Sequence, residues 1–183
     1  MLFILTGPLH SGKTTLLKNI VQVLENKNMR IDGFLSQSVN KNNNCIGYDL
    51  FDLKNKKSFP YMRKSGKSKW IRYGPYFLNP KGLKEAKKII SRKKDIDIFI
   101  VDEVGPLELS GKGLFPELEK LIREPVVPML IVVQSRILES FLSLFSLTSK
   151  QKTKIFDIRD KNTSNLLIQD IQNAQQKNTN KDK

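Results

Sequence analysis

This sequence predicts an α/β fold in which a mostly parallel sheet lies between helices, and three observations predict it. Short apolar runs of strand length alternate with segments of helical spacing. The first run, Leu2-Phe3-Ile4-Leu5, leads through a glycine-bearing turn directly into a helical pattern. A later run, Ile98-Phe99-Ile100-Val101, ends in two acids, Asp102 and Glu103. Near-continuous apolar strands are what a parallel sheet covered on both faces requires.

Taken in chain order, Leu2 to Leu5 reads as a buried strand. Thr15 to Leu24 reads as a helix with Leu16, Leu17, Ile20, Val21 and Leu24 on its apolar face. Gly33 to Val39 and Cys45 to Leu53 flank the polar turn Asn40-Lys41-Asn42-Asn43-Asn44 and read as a β-hairpin. A third short strand is expected near Ser58 to Met62, so residues Gly33 to Met62 form an antiparallel addition to the sheet. Ser65 to Lys69 reads as a polar, mobile loop, and Leu83 to Ser91 has helical spacing. Ile96 to Glu103 reads as a buried strand, Pro116 to Arg123 as a helix, and Val126 to Val133 as a strand with Pro128 near its start. Ile137 to Phe145 reads as a helix, Lys154 to Ile158 as a last strand, and Thr163 to Asn173 as a last helix. A single domain is expected over 1–174, with a polar, disordered tail over 175–183. No internal repeat or linker is visible.

Composition narrows the class. No apolar run reaches the roughly 18 residues that a membrane span needs. The N-terminal run is broken by Gly7, Pro8 and His10 and lacks a basic region before it, which argues against a signal peptide. The lone Cys45 forms no intrachain disulfide and fits a reducing, cytoplasmic setting. The chain has 32 Lys or Arg against 18 Asp or Glu, a net charge of +14. Between Lys54 and Lys94 lie 15 of those cations and one acid, Glu85, so the remainder balances at 17 to 17. That segment is either an electropositive surface for phosphates or nucleic acid, or the solvated face of a chain with 25 Lys and 7 Arg. It also carries Phe59, Tyr61, Trp70, Tyr73, Tyr76 and Phe77. These aromatics either stack bases or pack the edge of the core.

The chemistry-bearing residues begin with Gly7-Pro8-Leu9-His10-Ser11-Gly12-Lys13-Thr14, a complete G-x-x-x-x-G-K-[ST] phosphate-binding loop, the P-loop. Strand, loop and helix N-terminus together present backbone N–H groups and the positive end of a helix dipole to an anion. Residues Gly7 to Thr15 are therefore expected to hold a nucleoside triphosphate. Lys13 should reach the β- and γ-phosphates, and the Thr14 hydroxyl should ligate Mg²⁺. Asp102, at the carboxyl end of an apolar strand, sits where such sheets bind ligands and should hold Mg²⁺. Glu103 is placed to polarise a water on the γ-phosphate. Glu108 either orients water or Glu103, or caps the segment after it. Arg136, after the strand Val126 to Val133, either stabilises γ-phosphate charge catalytically, pairs with an acid, or contacts the base. His10 is the single histidine and no catalytic role is expected of it. One or more of Arg63, Lys67, Lys69 and Arg72 is expected to reach the phosphates.

On these residues the chain resembles the small nucleoside-triphosphatase family of archaea and bacteria, whose animal members are called cancer-related nucleoside-triphosphatases. The matching pieces are Gly7 to Thr15, Gly33-Phe34-Leu35, Gly47-Tyr48-Asp49-Leu50, more loosely Tyr73-Gly74-Pro75-Tyr76, and above all Val101-Asp102-Glu103-Val104-Gly105-Pro106-Leu107-Glu108-Leu109. The resemblance covers about Met1 to Phe141. It implies a P-loop fold of the RecA-like type and Mg²⁺-dependent hydrolysis of ATP, GTP and other nucleoside triphosphates to the diphosphate and phosphate. It also implies nucleotide binding by Gly7 to Thr14, the metal at Asp102 and the water at Glu103. The heavy basic stretch from Lys54 to Lys94 departs from the family pattern, as does Pro106-Leu107. Two other functions fit the same motifs: a small-molecule or nucleotide kinase, and a nucleic-acid-stimulated ATPase using residues 54–94. Base selectivity and oligomeric state have no signature in the sequence.

Overall fold

The computed structural model describes residues 1–92, 95–145 and 153–179. Strand β1 (Leu2–Gly7) feeds the phosphate loop and helix α1 (Lys13–Asn26). Strands β2 (Ile31–Lys41), β3 (Asn44–Asp52), β4 (Lys57–Arg63), β5 (Ile71–Tyr73) and β6 (Tyr76–Leu78) follow, then helix α2 (Pro80–Ser91). Next come β7 (Ile98–Val104), the short α3 (Pro106–Leu109), α4 (Phe115–Arg123), β8 (Met129–Gln134), a single 3-10 turn (Ser135–Ile137) and α5 (Leu138–Leu144). Strand β9 (Thr153–Asp157) and helix α6 (Thr163–Thr179) complete the described chain.

The nine strands of the described residues join one sheet in the order β5-β6-β4-β3-β2-β7-β8-β1-β9. From β2 to β9 every pairing is parallel, and from β2 outward to β5 every pairing is antiparallel. The predicted α/β sheet between helices is therefore present. The antiparallel addition is larger than the sequence suggests, because β5 and β6 extend it past Met62. Each has three residues, too few to show a period, and they meet around the turn Tyr73-Gly74-Pro75-Tyr76.

Strand β1 shows why the sheet is closed on both faces. Leu2 and Ile4 enter the core under α2, α4 and α5, which includes Ile89, Leu118 and Phe141. Phe3 and Leu5 enter the opposite core under α1 and α6, with Leu17, Ile20, Leu167 and Ile171. Alternate residues of one strand thus face different layers, and both layers are apolar. At about 25 cal/mol per Å² of apolar area removed from water, such fully buried strands dominate the stability of the fold.

Two joints position the antiparallel addition. Gly33 has φ +118 and pairs with Ile100, and a Cβ there would lie 1.9 Å from the Ile100 carbonyl oxygen. Only glycine permits that approach of β2 to β7. Arg92, just after α2, bridges Asp32 (3.0 Å) at the start of β2 and Asp52 (2.9 Å) at the end of β3. Burial raises the Asp32 carboxyl above its usual range, while Asp52 is held below its usual range by Arg92 and Asn55 against the opposing effect of burial.

Several boundaries differ from the sequence reading. Helix α2 starts at Pro80 because the Asn79 side chain accepts from the Lys81 N–H (3.1 Å), an N-cap followed by proline at the first helical position. Strand β8 starts at Met129, after Pro128, which has no N–H to give a ladder. Helix α6 runs to Thr179, so residues 175–179 are helical where the sequence suggested a disordered tail; residues 180–183 lie outside the described residues. Among the described residues no helix is long and apolar enough to cross a membrane.

Candidate active site

Strands β7, β8 and β1 are neighbours, so their carboxyl ends bring Asp102-Glu103, Gln134 and the phosphate loop together. Gln134 is the register partner of Gly7. This is the crevice edge at which parallel α/β sheets place ligands.

The loop is shaped by its own contacts. Gly12 takes the left-handed conformation (φ 86) as the N-cap of α1 and leaves open space where a Cβ would stand. The Ser11 hydroxyl donates to the Pro8 carbonyl (2.8 Å). Lys13 is buried, and its ammonium donates to the Gly7 (3.1 Å) and Pro8 (2.5 Å) carbonyls inside the loop. Burial holds the Lys13 ammonium below its ordinary value, opposed by the nearby Glu103 and Asp102 charges. The cavity above the loop has a volume of about 470 Å³ and is walled by Ser11 to Thr15, Lys18, Glu103 and the inner side of the β2–β3 hairpin. Leu9 and His10 are exposed at its rim, with His10 at φ 58.

Asp102 is 1% exposed. Its Oδ2 accepts from the Ser36 N–H (3.2 Å), just past the last β2–β7 pair, Phe34 with Val101. It also accepts a hydrogen bond from Thr14, and its buried Oδ1 has no hydrogen-bond partner among the described residues. Burial, then repulsion from Glu103, pushes the Asp102 carboxyl up to about 7, against the pull of Thr14, Ser36 and Lys13. The Asp102–Glu103 peptide bond is cis.

Glu103 lines the cavity, and its Oε1 accepts from the Gln134 side-chain amide. The Gln134 side-chain Oε1 in turn accepts from Arg136 Nε (2.9 Å). Gln134 is thus the residue the sequence reading missed. Its only signal is a polar side chain closing the apolar strand Met129 to Val133. Arg136 is exposed in the turn after β8 and reaches Glu103 only through Gln134.

Other expectations resolve less evenly. Glu108 is buried and accepts from the Gly105 N–H (3.1 Å) and the Leu114 N–H (3.5 Å), so it caps α3 and ties the following loop. Arg63 is committed to Asp49 (2.5 Å) and to the Tyr48 and Met62 carbonyls. Lys67, Lys69 and Arg72 are exposed and do not line the cavity above the loop. In the basic segment Lys56, Arg63, Lys87, Lys88 and Arg92 all form ion pairs, most of them with acids outside the segment. Tyr61 is buried, and Phe59, Trp70, Tyr73, Tyr76 and Phe77 are half-buried. Of these, Phe59, Tyr61 and Tyr73 pack in or against the core.

The family described as NTPase matches residues 2–172, nearly the whole described chain. The chain belongs to that NTPase family. Curated relatives include the nucleoside-triphosphatase THEP1 of Sulfolobus acidocaldarius, 33% identical over 137 residues, 73% of this chain and 76% of that one. The protein of the same name from Archaeoglobus fulgidus is 32% identical over 139 residues, 72% of this chain and 76% of that one. Two solved structures share the fold of this NTPase family member. THEP1 from Aquifex aeolicus superimposes with a TM-score of 0.70 at 24% identity, covering 93% of this chain and 96% of that one. A human cancer-related nucleoside triphosphatase gives 0.68 at 21% identity, covering 92% and 94%. The family expectation and the P-loop fold drawn from the sequence both hold.

Proposed function

We propose that this chain hydrolyses nucleoside triphosphates, ATP and GTP among them, to the diphosphate and phosphate in a Mg²⁺-dependent reaction. Membership of the family makes it a nucleoside-triphosphate phosphohydrolase; the metal, the nucleotides and the residue roles are our assignment. The observation that carries it is the Gln134-held Glu103 carboxylate beside Lys13 and Asp102 on the wall of the phosphate-loop cavity.

In this reading the loop N–H groups and the α1 N-terminus bind the phosphates, and Gly12 keeps the backbone open to them. Lys13 exchanges its two loop carbonyls for β- and γ-phosphate oxygens. The phosphates restore the ammonium's charge preference that burial opposes. Glu103 takes the proton of the attacking water, and Gln134 fixes the carboxylate's direction. Arg136 steadies Gln134 and offers its remaining guanidinium N–H groups to the departing phosphate.

The residues present suit Mg²⁺. The Thr14 hydroxyl and Asp102 are hard oxygen donors, and the unpartnered Asp102 Oδ1 lacks only a cation or a proton. No cluster of three or more His, Cys, Asp or Glu fit for a metal occurs among the described residues. Mg²⁺ is commonly held by one or two protein groups together with phosphates and water, and Thr14 and Asp102 would be those groups here. When bound, Mg²⁺ supplies charge neutralisation on the β- and γ-phosphate oxygens.

A phosphate-release screen over ATP, GTP, CTP and UTP, with Mg²⁺ or with EDTA, tests this reading. Release from several triphosphates, abolished by EDTA and by Lys13→Ala, is expected. Metal-independent release, or none from any triphosphate, overturns it.

A further inference from the structure

Beyond Glu103 the phosphate-loop cavity adjoins a second cavity of about 470 Å³. The two share Leu9, His10, Ser36, Cys45, Tyr48 and Glu103 as a common wall. Their linings differ. The first is loop backbone and small polar side chains; the second is largely aromatic and apolar, with Met62, Tyr73, Pro75 and Tyr76 from the antiparallel addition facing Leu107 of α3. An apolar concave site with a few convergent polar groups is the usual form of a small-molecule pocket, and this volume lies within the ordinary range of roughly 300–1,000 Å³.

The polar groups in it are specific. Tyr61 is 6% exposed and its hydroxyl has no hydrogen-bond partner among the described residues. Gln134 and Arg136 line the same end as Glu103, and the exposed Lys64 stands at the rim. Tyr48 and Tyr76 meet edge to face, with centroids 5.6 Å apart at 62°. That arrangement leaves ring faces for a planar group to stack on.

The triphosphate's own base does not belong in this cavity. Lys13, Asp102 and Glu103 mark the γ-phosphate end of the loop, and the base lies three phosphates and a ribose away from it. A molecule in the second cavity therefore faces the γ-phosphate from the side on which a nucleophile must approach. A hydroxyl on such a molecule meets the carboxylate that otherwise meets water.

We propose that the tyrosine-lined cavity beside Glu103 is a phosphoryl-acceptor site for a nucleoside, either free or carrying its 5′-phosphate. The proposal rests on the reading above, in which Glu103 faces the γ-phosphate. In the transfer step the acceptor oxygen forms a bond to the γ-phosphorus as the bond from that phosphorus to the β,γ-bridging oxygen breaks. The acceptor proton passes to Glu103, and the products are a nucleoside diphosphate and the phosphorylated acceptor. The ring stacks on Tyr73 and Tyr76, and Lys64 and Arg136 attract the 5′-phosphate where the acceptor carries one. Hydrolysis is then the reaction of the same site with water when the cavity holds no acceptor.

The full chain is incubated with γ-labelled ATP and Mg²⁺, alone and with each common nucleoside and nucleoside monophosphate, and the products are separated. In parallel, binding of each acceptor is measured by calorimetry on the complex with a non-hydrolysable ATP analogue. The expected result is an acceptor that binds alongside the analogue and takes up label. Its affinity should fall about tenfold in Tyr76→Leu, the loss of one ring-stacking contact. Lys64→Glu, at an exposed position, should weaken a monophosphate more than the free nucleoside, and its melting temperature reports that the fold is intact. Competition between every acceptor and the analogue overturns the proposal. So does a ternary complex from which all label leaves as inorganic phosphate. Absence of phosphate release without any acceptor would instead count against the nucleoside-triphosphatase reading itself.

Discussion

Replacing Asp102 by Asn should stabilise the metal-free protein at alkaline pH. Asp102 is fully buried, and its carboxyl is pushed from 3.8 up to about 7 by burial first and by Glu103 second. Below pH 4 the group is protonated in both folded and unfolded chains and has no effect on stability. Between about 4 and 7 the unfolded chain releases the proton while the folded chain retains it, so stability falls as pH rises. Above 7 the cost is constant. At about 1.4 kcal/mol per pH unit between the two values, that cost has a ceiling of roughly 4 kcal/mol. Relaxation around a buried charge reduces it, and about 2 kcal/mol is the working figure. For a chain of this size that corresponds to a gain of roughly 4–8 °C in melting temperature. The assay is thermal unfolding of wild type and Asp102→Asn in EDTA at pH 8.5 and at pH 4.5. The gain should be present at pH 8.5 and small at pH 4.5. An unchanged or lower melting temperature for Asp102→Asn at pH 8.5 would refute the burial argument. Added Mg²⁺ should raise the wild-type melting temperature with nucleotide present and raise the variant's by less.

Three further outcomes follow from the structure. Gln134→Leu should lower turnover roughly tenfold or more with nucleotide affinity retained, because it frees the Glu103 carboxylate that it now orients; steady-state kinetics separates kcat from KM. Arg92→Met should cost about 3–5 kcal/mol in a urea titration, since it leaves Asp32 and Asp52 facing each other without their shared cation. Gly33→Ala should cost a comparable or larger amount, because its Cβ would overlap the Ile100 carbonyl and force β2 from β7; failure to express in soluble form is the expected extreme.

What the sequence revealed, and what it did not, follows from where the chemistry is local. The phosphate loop is legible because eight consecutive residues make it, and strand β7 because its apolar run terminates in the acids themselves. Gln134 acts only through a partner 31 residues away in sequence, and a lone glutamine at a strand end carries no motif. Glu108 shows the converse: it follows the site acids within one short segment, yet it is spent on capping α3 and holding the Leu114 N–H. The charge count of residues 54–94 overstated their free charge. Sequence distance concealed that Glu25, Asp49, Glu117, Asp32 and Asp52 fold back onto that segment. Strands β5 and β6 escaped because three residues on each side of a turn have no period to read, although they build the wall of the second cavity.

In the proposed reaction Lys13 and Glu103 divide binding from chemistry. Lys13 is already buried within the loop, so its loss should weaken nucleotide binding as well as turnover. Glu103 touches none of the loop N–H groups in the hydrogen-bond pattern; it is held by Gln134, and its loss should fall on the chemical step.

The most direct test of the account is therefore single-turnover phosphate release from Mg²⁺–ATP by wild type and Glu103→Gln, with nucleotide affinity measured on both. The account predicts a rate at least about 100-fold lower in the variant, the usual contribution of a positioned general base, with affinity retained. A Glu103→Gln protein that releases phosphate at the wild-type rate would contradict it.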